Sequence, residues 1–147
     1  MATFVAALDD TTTWDLVQST FALHATTPAQ RTEILKSLAR RTSRLAIVEF
    51  DIPAFTDRSP EHIAYLAERY ERGVREYRAY PEVNAKFLMP VLVGQLDPAF
   101  ARYTFEQPID AWIRLIRSAG FTTSTRRIAR YWWADAVLIS ATTEPKS

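Results

Sequence analysis

The stretch TWDLVQSTFALHAT (residues 13–26) carries the first decision about the fold. It opens like a buried strand: Trp14, Leu16 and Val17 are apolar and broken only by Asp15. It then turns small and polar and ends on a lone histidine, His24. We read residues 14–23 as a central strand running into a loop at His24. Strands of that kind often deliver a side chain to a ligand pocket, so the question is what His24 faces. The next stretch, TPAQRTEILKSLARRT (27–42), is the clearest helix. Thr27 is a good N-cap, Pro28 fits the first helical position and Gln30 completes a capping box. Ile34, Leu35 and Leu38 form one face, and Arg40 and Arg41 complement the helix dipole in the last turn. RLAIVEF (44–50) is a second strand, apolar on both faces as a doubly covered parallel strand tends to be. Strand, helix and strand make one βαβ unit with a right-handed crossover.

Outward from this unit, FVAAL (4–8) reads as a short strand with DDTTT as the turn after it. IPAFTDRSP (52–60) is a loop, and Ser59 and Pro60 start a helix. Ile63, Leu66, Tyr70, Val74 and Tyr77 recur there at helical spacing, and the charges between them make a solvated face. KFLMPVLVGQLDP (86–98) is apolar but broken by Pro90 and Gly94. It reads as a segment folded over a pocket or an interface, not as a sheet strand. PIDAWIRLIRSAGF (108–121) is a third helix with Ile109, Trp112, Ile113 and Ile116 as its stripe. Gly120 sits where a left-handed residue stops a helix, and Phe121 closes the cap. TTSTRRIARYWW (122–133) and ADAVLIS (134–140) read as two strands of an antiparallel hairpin. In a strand, Trp132 and Trp133 would point to opposite faces. No repeat, low-complexity tract or linker interrupts the chain. We expect a single domain over 1–147, with a helical insertion over 55–104.

Composition narrows the function. The chain has 147 residues, is 48% hydrophobic and 24% charged, and carries a formal net charge of +1. That suits a globule with a real core and gives no electrostatic footprint for nucleic acid. Arg126, Arg127 and Arg130 are too sparse for such a patch. Cysteine is absent, which excludes disulfides, thiolate chemistry and cysteine-bound zinc. His24 and His62 are the only histidines, so we expect no metal site. No apolar run approaches the roughly 20 residues of a membrane helix. No basic, apolar leader opens the sequence, and a cytoplasmic location is the expectation.

The order of elements resembles the C-terminal half of a class I S-adenosylmethionine-dependent methyltransferase. Three stretches carry the likeness. WDLVQSTFALH is similar to that family's strands ending near a histidine. RLAIVEFDIP is similar to the next strand with its acidic exit. WIRLIRSAGF followed by YWWADAVLISA is similar to the last helix and closing hairpin. The resemblance implies an α/β fold: a partial Rossmann-like sheet of parallel strands plus a C-terminal antiparallel hairpin, with an inserted helical segment.

The departures are equally informative. The family binds its cofactor largely with the first half of its sheet, through a glycine-rich loop and an acid on the ribose. This chain has only Gly73, Gly94 and Gly120, and none lies after a strand and before a helix. FVAALDD resembles the family's third strand, whose exit usually bears an aspartate near the adenine. That leaves Asp9, Asp10 and Ser19 as cofactor-side candidates, and S-adenosylmethionine is expected to be held not by this chain alone. About five residues link FVAAL to WDLV, whereas adjacent parallel strands need a crossover of roughly a dozen. The first strand must therefore turn back as an antiparallel neighbour, cross to another subunit or stay detached; otherwise strand 14–23 presents a bare apolar edge, which proteins rarely leave open. We expect a partner to cover it, either a second copy or a separate methyltransferase chain.

Among site residues, His24 is the candidate general base. Alternation places Glu49 and Asp51 on opposite or staggered faces, as a carboxylate pair or as solvated or helix-capping groups. His62, in the first turn of a helix, reads as a surface residue. Tyr65, Tyr77, Phe87, Met89 and Tyr103, all from the insert, are candidates to line a lid over a small hydrophobic or aromatic molecule. Tyr80 and Phe105 belong to the same aromatic group. Three functions fit: a component of a small-molecule methyltransferase of natural-product type, a repurposed cofactor-independent cyclase or isomerase, and a non-catalytic subunit of a full methyltransferase.

Overall fold

Thr27 accepts a hydrogen bond from the Gln30 backbone N–H on its Oγ1, and the Gln30 side chain accepts from the Thr27 backbone N–H. This capping box starts helix α1, Pro28–Arg41. Each orphan donor it satisfies is worth about 1 kcal/mol. In the computed structural model, which describes residues 11–100 and 104–143, α1 joins strand β1 (Val17–Thr20) to strand β2 (Arg44–Asp51). The two strands are parallel, with Val17 opposite Leu45 and Thr20 opposite Val48. The expected βαβ unit is therefore present. β1 is shorter than expected, because Trp14 makes only an isolated bridge to Thr42. Phe21 ends the strand in the left-handed region, at φ 48°, a conformation a side-chain-bearing residue rarely adopts.

After β2 come three helical segments. Helix α2 spans Pro60–Glu76 and is capped by Ser59, whose hydroxyl accepts from the His62 backbone N–H. Helix α3 covers residues 81–96, as Pro81–Val83, Asn84–Leu88 and Met89–Leu96 in succession. Its middle part has π spacing. Pro90 accounts for this: it lacks an N–H and its ring crowds the carbonyl four residues back, so the preceding turn widens. Helix α4, Ile109–Ser118, ends at Gly120 with φ 100°, as the sequence predicts. Strands β3 (Thr122–Arg130) and β4 (Asp135–Thr142) complete the set.

The sheet order is β1-β2-β4-β3, with β4 antiparallel to both its neighbours. Among the described residues β1 pairs with β2 on one side. The expected strand FVAAL lies outside the described residues. Leu45 and Ile47 of β2, Val137, Ile139 and Ala141 of β4, and Ile34, Leu35 and Leu38 of α1 form the core with Trp112 and Ile116 of α4. Helices α1 and α4 thus cover one face of the sheet. At the end of the order away from β1, β3 carries a register shift between Arg127 and Ala129, and its arginines face water. Bulges and exposed charges of this kind discourage edge-to-edge pairing.

The hairpin turn is longer than the sequence suggests. β3 stops at Arg130, so Tyr131, Trp132 and Trp133 lie in the turn and not in a strand. Tyr131 N–H donates to the Ala134 carbonyl at 3.0 Å, and Asp135 pairs with Arg127 and Arg130 at 3.1 and 3.4 Å. The α2 stripe is also narrower than its spacing implies. Leu66 is buried, but Ile63 and Val74 are exposed. Among the described residues no helix is long and apolar enough to cross a membrane.

Gly73 of α2 is buried under Trp132. A Cβ built there would meet that ring at 2.9 and 3.1 Å and Leu88 at 3.2 Å. Gly94 of α3 has nothing within 4 Å. Gly73→Ala gains about 1 kcal/mol of helix propensity and loses about 2 kcal/mol to overpacking, so chemical denaturation should show a net loss. Gly94→Ala should instead raise stability by about 0.5–1 kcal/mol.

Candidate active site

Glu49 sits near the end of β2 and is buried, 1% exposed. A bare carboxylate there would cost several kcal/mol, so its hydrogen bonds organise what surrounds it. Its Oε1 accepts the backbone N–H groups of Leu23 at 3.0 Å and His24 at 3.3 Å. Its Oε2 lies 2.8 Å from His24 Nδ1. One carboxylate therefore holds both the main chain and the ring of His24. The His24 carbonyl accepts from Phe105 N–H at 2.7 Å, which stitches segment 104–107 onto the same turn.

Arg31 of α1 closes this turn from behind. It is fully buried, with its guanidinium stacked 4.2 Å over Trp112. It donates to the carbonyls of Leu23 (3.3 Å), Thr26 (3.1 Å) and Phe105 (2.8 Å). Burial pushes its pKa down, and the charges of Glu49 and Glu106 oppose that. A charged residue in register with Ile34, Leu35 and Leu38 was a signal available in the sequence.

The hydrogen bond to Glu49 raises the pKa of His24. Burial works against this, the charges of Glu49 and Glu106 add to it, and Arg31 opposes it. With Nδ1–H given to Glu49, the unprotonated ring presents a lone pair on Nε2. That is the arrangement of an oriented general base. Glu49 and Asp51 do not lie on opposite faces, since strand positions two apart share a face. They differ in task instead, because Asp51 Oδ1 accepts from Ile109 N–H at 2.9 Å and caps α4.

His24 lines a cavity of about 570 Å³, within the range of small-molecule sites. The aromatic rings come from several elements: Phe50 of β2, Tyr65 of α2, Phe87 of α3, and Tyr131, Trp132 and Trp133 of the hairpin turn. Phe21 stacks on Phe50 with ring centroids 4.2 Å apart, and Tyr131 stands edge-on to both. Trp132 and Trp133 meet edge to face at 5.5 Å. Helix α3 contributes Phe87, Pro90, Val91 and Gly94 to the lining. His62 also lines the cavity and is not a surface residue: its side chain is 15% exposed.

Of the insert candidates, Tyr65 and Phe87 reach the cavity. Tyr77 stands about 18 Å along α2 from Tyr65 at 1.5 Å per residue. Met89 is half exposed, on a different face of α3 from Phe87, Val91 and Gly94. Ser19 lies on β1 beside the core with its Oγ buried and without a hydrogen-bond partner, and it does not line the cavity. Asp9, Asp10 and Tyr103 lie outside the described residues.

No family model matches this sequence, and no curated protein matches it. Solved structures do match the fold. Methyltransferase CalO6 superposes with a TM-score of 0.54 at 17% identity, over 95% of this chain and 38% of that one. An O-methyltransferase family protein from Burkholderia thailandensis gives 0.52 at 15% identity, over 99% of this chain and 34% of that one. Magnesium protoporphyrin IX methyltransferase (ChlM) from Synechocystis PCC 6803, solved with bound SAH, gives 0.52 at 13%, over 95% and 48%. This chain has a class I methyltransferase-like fold and spans a third to a half of the length of those structures.

Two measurements test the Glu49 cluster. The raised pKa of His24 means that its ion pair contributes stability below the unfolded value of about 6.5. That contribution is lost as pH rises through the folded value. In an NMR titration of the ring His24 should titrate above 6.5, and Glu49→Gln should move the midpoint down. Arg31→Met leaves three carbonyls short of a donor and the Glu49 charge less compensated. It should cost about 3 kcal/mol in urea unfolding.

Proposed function

We propose that this chain is the acceptor-binding part of a small-molecule, natural-product type S-adenosylmethionine-dependent methyltransferase. The observation that carries the reading is the His24–Glu49 pair directed at an aromatic-walled cavity, on a fold shared with methyltransferases. His24 Nε2 takes the proton of an acceptor hydroxyl, leaving the oxygen as the nucleophile. Glu49 keeps the imidazole oriented and balances the positive charge that forms on it. The rings hold the acceptor flat and exclude water, so the gain is chiefly one of positioning.

S-adenosylmethionine supplies an electrophilic methyl group in such a reaction. The described residues do not fit it as a cradle. Gly73 is packed under Trp132, Gly94 is inside α3 and Gly120 terminates α4, so none provides the close backbone approach that a nucleotide needs. In this reading the cofactor is held with a partner, a second copy or a separate methyltransferase chain, that docks on the side of β1 away from β2. Exposed Leu16 next to that strand supports the docking. A second reading rests on the same missing cradle: the His24–Glu49 pair runs a cofactor-free isomerisation or cyclisation.

The chain, recovered from its source cells with whatever it binds, should transfer labelled methyl from S-adenosylmethionine to small phenols. His24→Asn should lower the rate about 10²-fold or more. Calorimetry should show cofactor binding by the complex and none by the isolated chain. Tight cofactor binding by a monomer would refute the partner, and turnover without cofactor would favour the second reading.

A further inference from the structure

Besides His24, the cavity holds a second polar group, built from the loop before α2 and the first turn of that helix. Arg58 adopts φ 58°, an unfavourable conformation for a side-chain-bearing residue. The strain persists because the turn is tied down: Arg58 Nη2 donates to the Asp97 carbonyl at 3.0 Å. It aims the Arg58 backbone N–H at His62 Nδ1, at 3.0 Å. An N–H donor on Nδ1 fixes the tautomer of that ring, with Nδ1 as acceptor and the hydrogen on Nε2. Phe55 stacks on the imidazole at 5.5 Å and 17° and fixes its plane. His24 and His62 thus differ in hydrogen-bonding sense: His24 offers a lone pair and His62 offers a hydrogen.

Arg58 lines the same cavity beside His62 and brings its guanidinium to that wall. Its charge is already answered by Asp57, whose Oδ2 is 3.3 Å from Nη1 and whose Oδ1 is 3.6 Å from His62 Nδ1. Glu106 adds another carboxylate to the lining. A group of donors without surplus positive charge suits a neutral oxygen better than a carboxylate or phosphate.

We infer that His62 and Arg58 receive a neutral carbonyl-type oxygen of the acceptor, so that the substrate is an aromatic molecule bearing both a hydroxyl and a carbonyl. This rests on reading the His24 cavity as the acceptor pocket. His62 is then a specificity-determining residue that orients the hydroxyl toward His24.

The test is binding of three matched probes to the full chain, without cofactor, read by quenching of Trp132 and Trp133 fluorescence. 4-Hydroxybenzophenone carries both groups, 4-benzylphenol lacks the carbonyl and benzophenone lacks the hydroxyl. The full chain should bind 4-hydroxybenzophenone about tenfold tighter than 4-benzylphenol. His62→Phe should bring that ratio near one, and His62→Gln, which keeps a donor, should retain part of the preference. Arg58→Met, which leaves the Ser59 cap intact, should also reduce the ratio and decides the matter if His62→Phe does not fold. Equal binding of the two phenols by the unmodified chain, no binding of either, or a carbonyl preference that survives these substitutions would overturn the inference. Loss of the preference for 4-hydroxybenzophenone over benzophenone, with the carbonyl preference intact, would count against the methyl-transfer reading alone.

Discussion

The buried carboxylate of Glu49 is the constraint on which the rest of the site depends. It has no solvent to fall back on, so its oxygens must be satisfied by the protein. They are satisfied by one short turn, through two backbone N–H groups and one ring nitrogen. The turn cannot shift without exposing the charge to an apolar core. The same requirement explains Arg31, which gathers the carbonyls on the other side of the turn and brings a compensating positive charge into the low-dielectric interior. Fold and chemistry meet here: the pair that positions His24 also fastens α1, β2 and segment 104–107 to one another.

How much of this the sequence discloses depends on how local the cause is. Helix α1 is legible because its capping box and apolar face are written within sixteen residues. β2 is legible because its run is apolar on both faces, and the stop at Gly120 because a left-handed residue follows an amphipathic stripe. The His24 position was readable for the same reason, as the exit of a strand. Its partner was not. Nothing near Glu49 in the chain says that its carboxylate turns inward to meet a turn twenty-five positions earlier. His62 is harder still, since a histidine in the first turn of a charged helix looks solvated until Phe55 and the cavity are in place.

The aromatic walls teach a related lesson. Trp132 and Trp133 continue the run of β3 in the sequence, yet they occupy a turn, which the Tyr131 N–H closes on the Ala134 carbonyl. Periodicity identifies the two β segments and is silent on where the chain leaves the ladder. In α2 the apolar spacing is real, but Ile63 and Val74 face outward while Leu66 and Gly73 take the buried positions. A stripe tells which residues share a side and not how much of that side finds something to touch.

The order β1-β2-β4-β3 bears on how the molecule comes into being. The strand synthesised last of the four holds an inner place, so β2 has no lateral mate on that side until Thr142 has left the ribosome. β3 cannot join the sheet at all before then. Biogenesis of this fold is thus governed by distant pairing, which is intrinsically slow. A nascent chain halted before β4 would display the unzipped flank of β2, the very strand that carries Glu49.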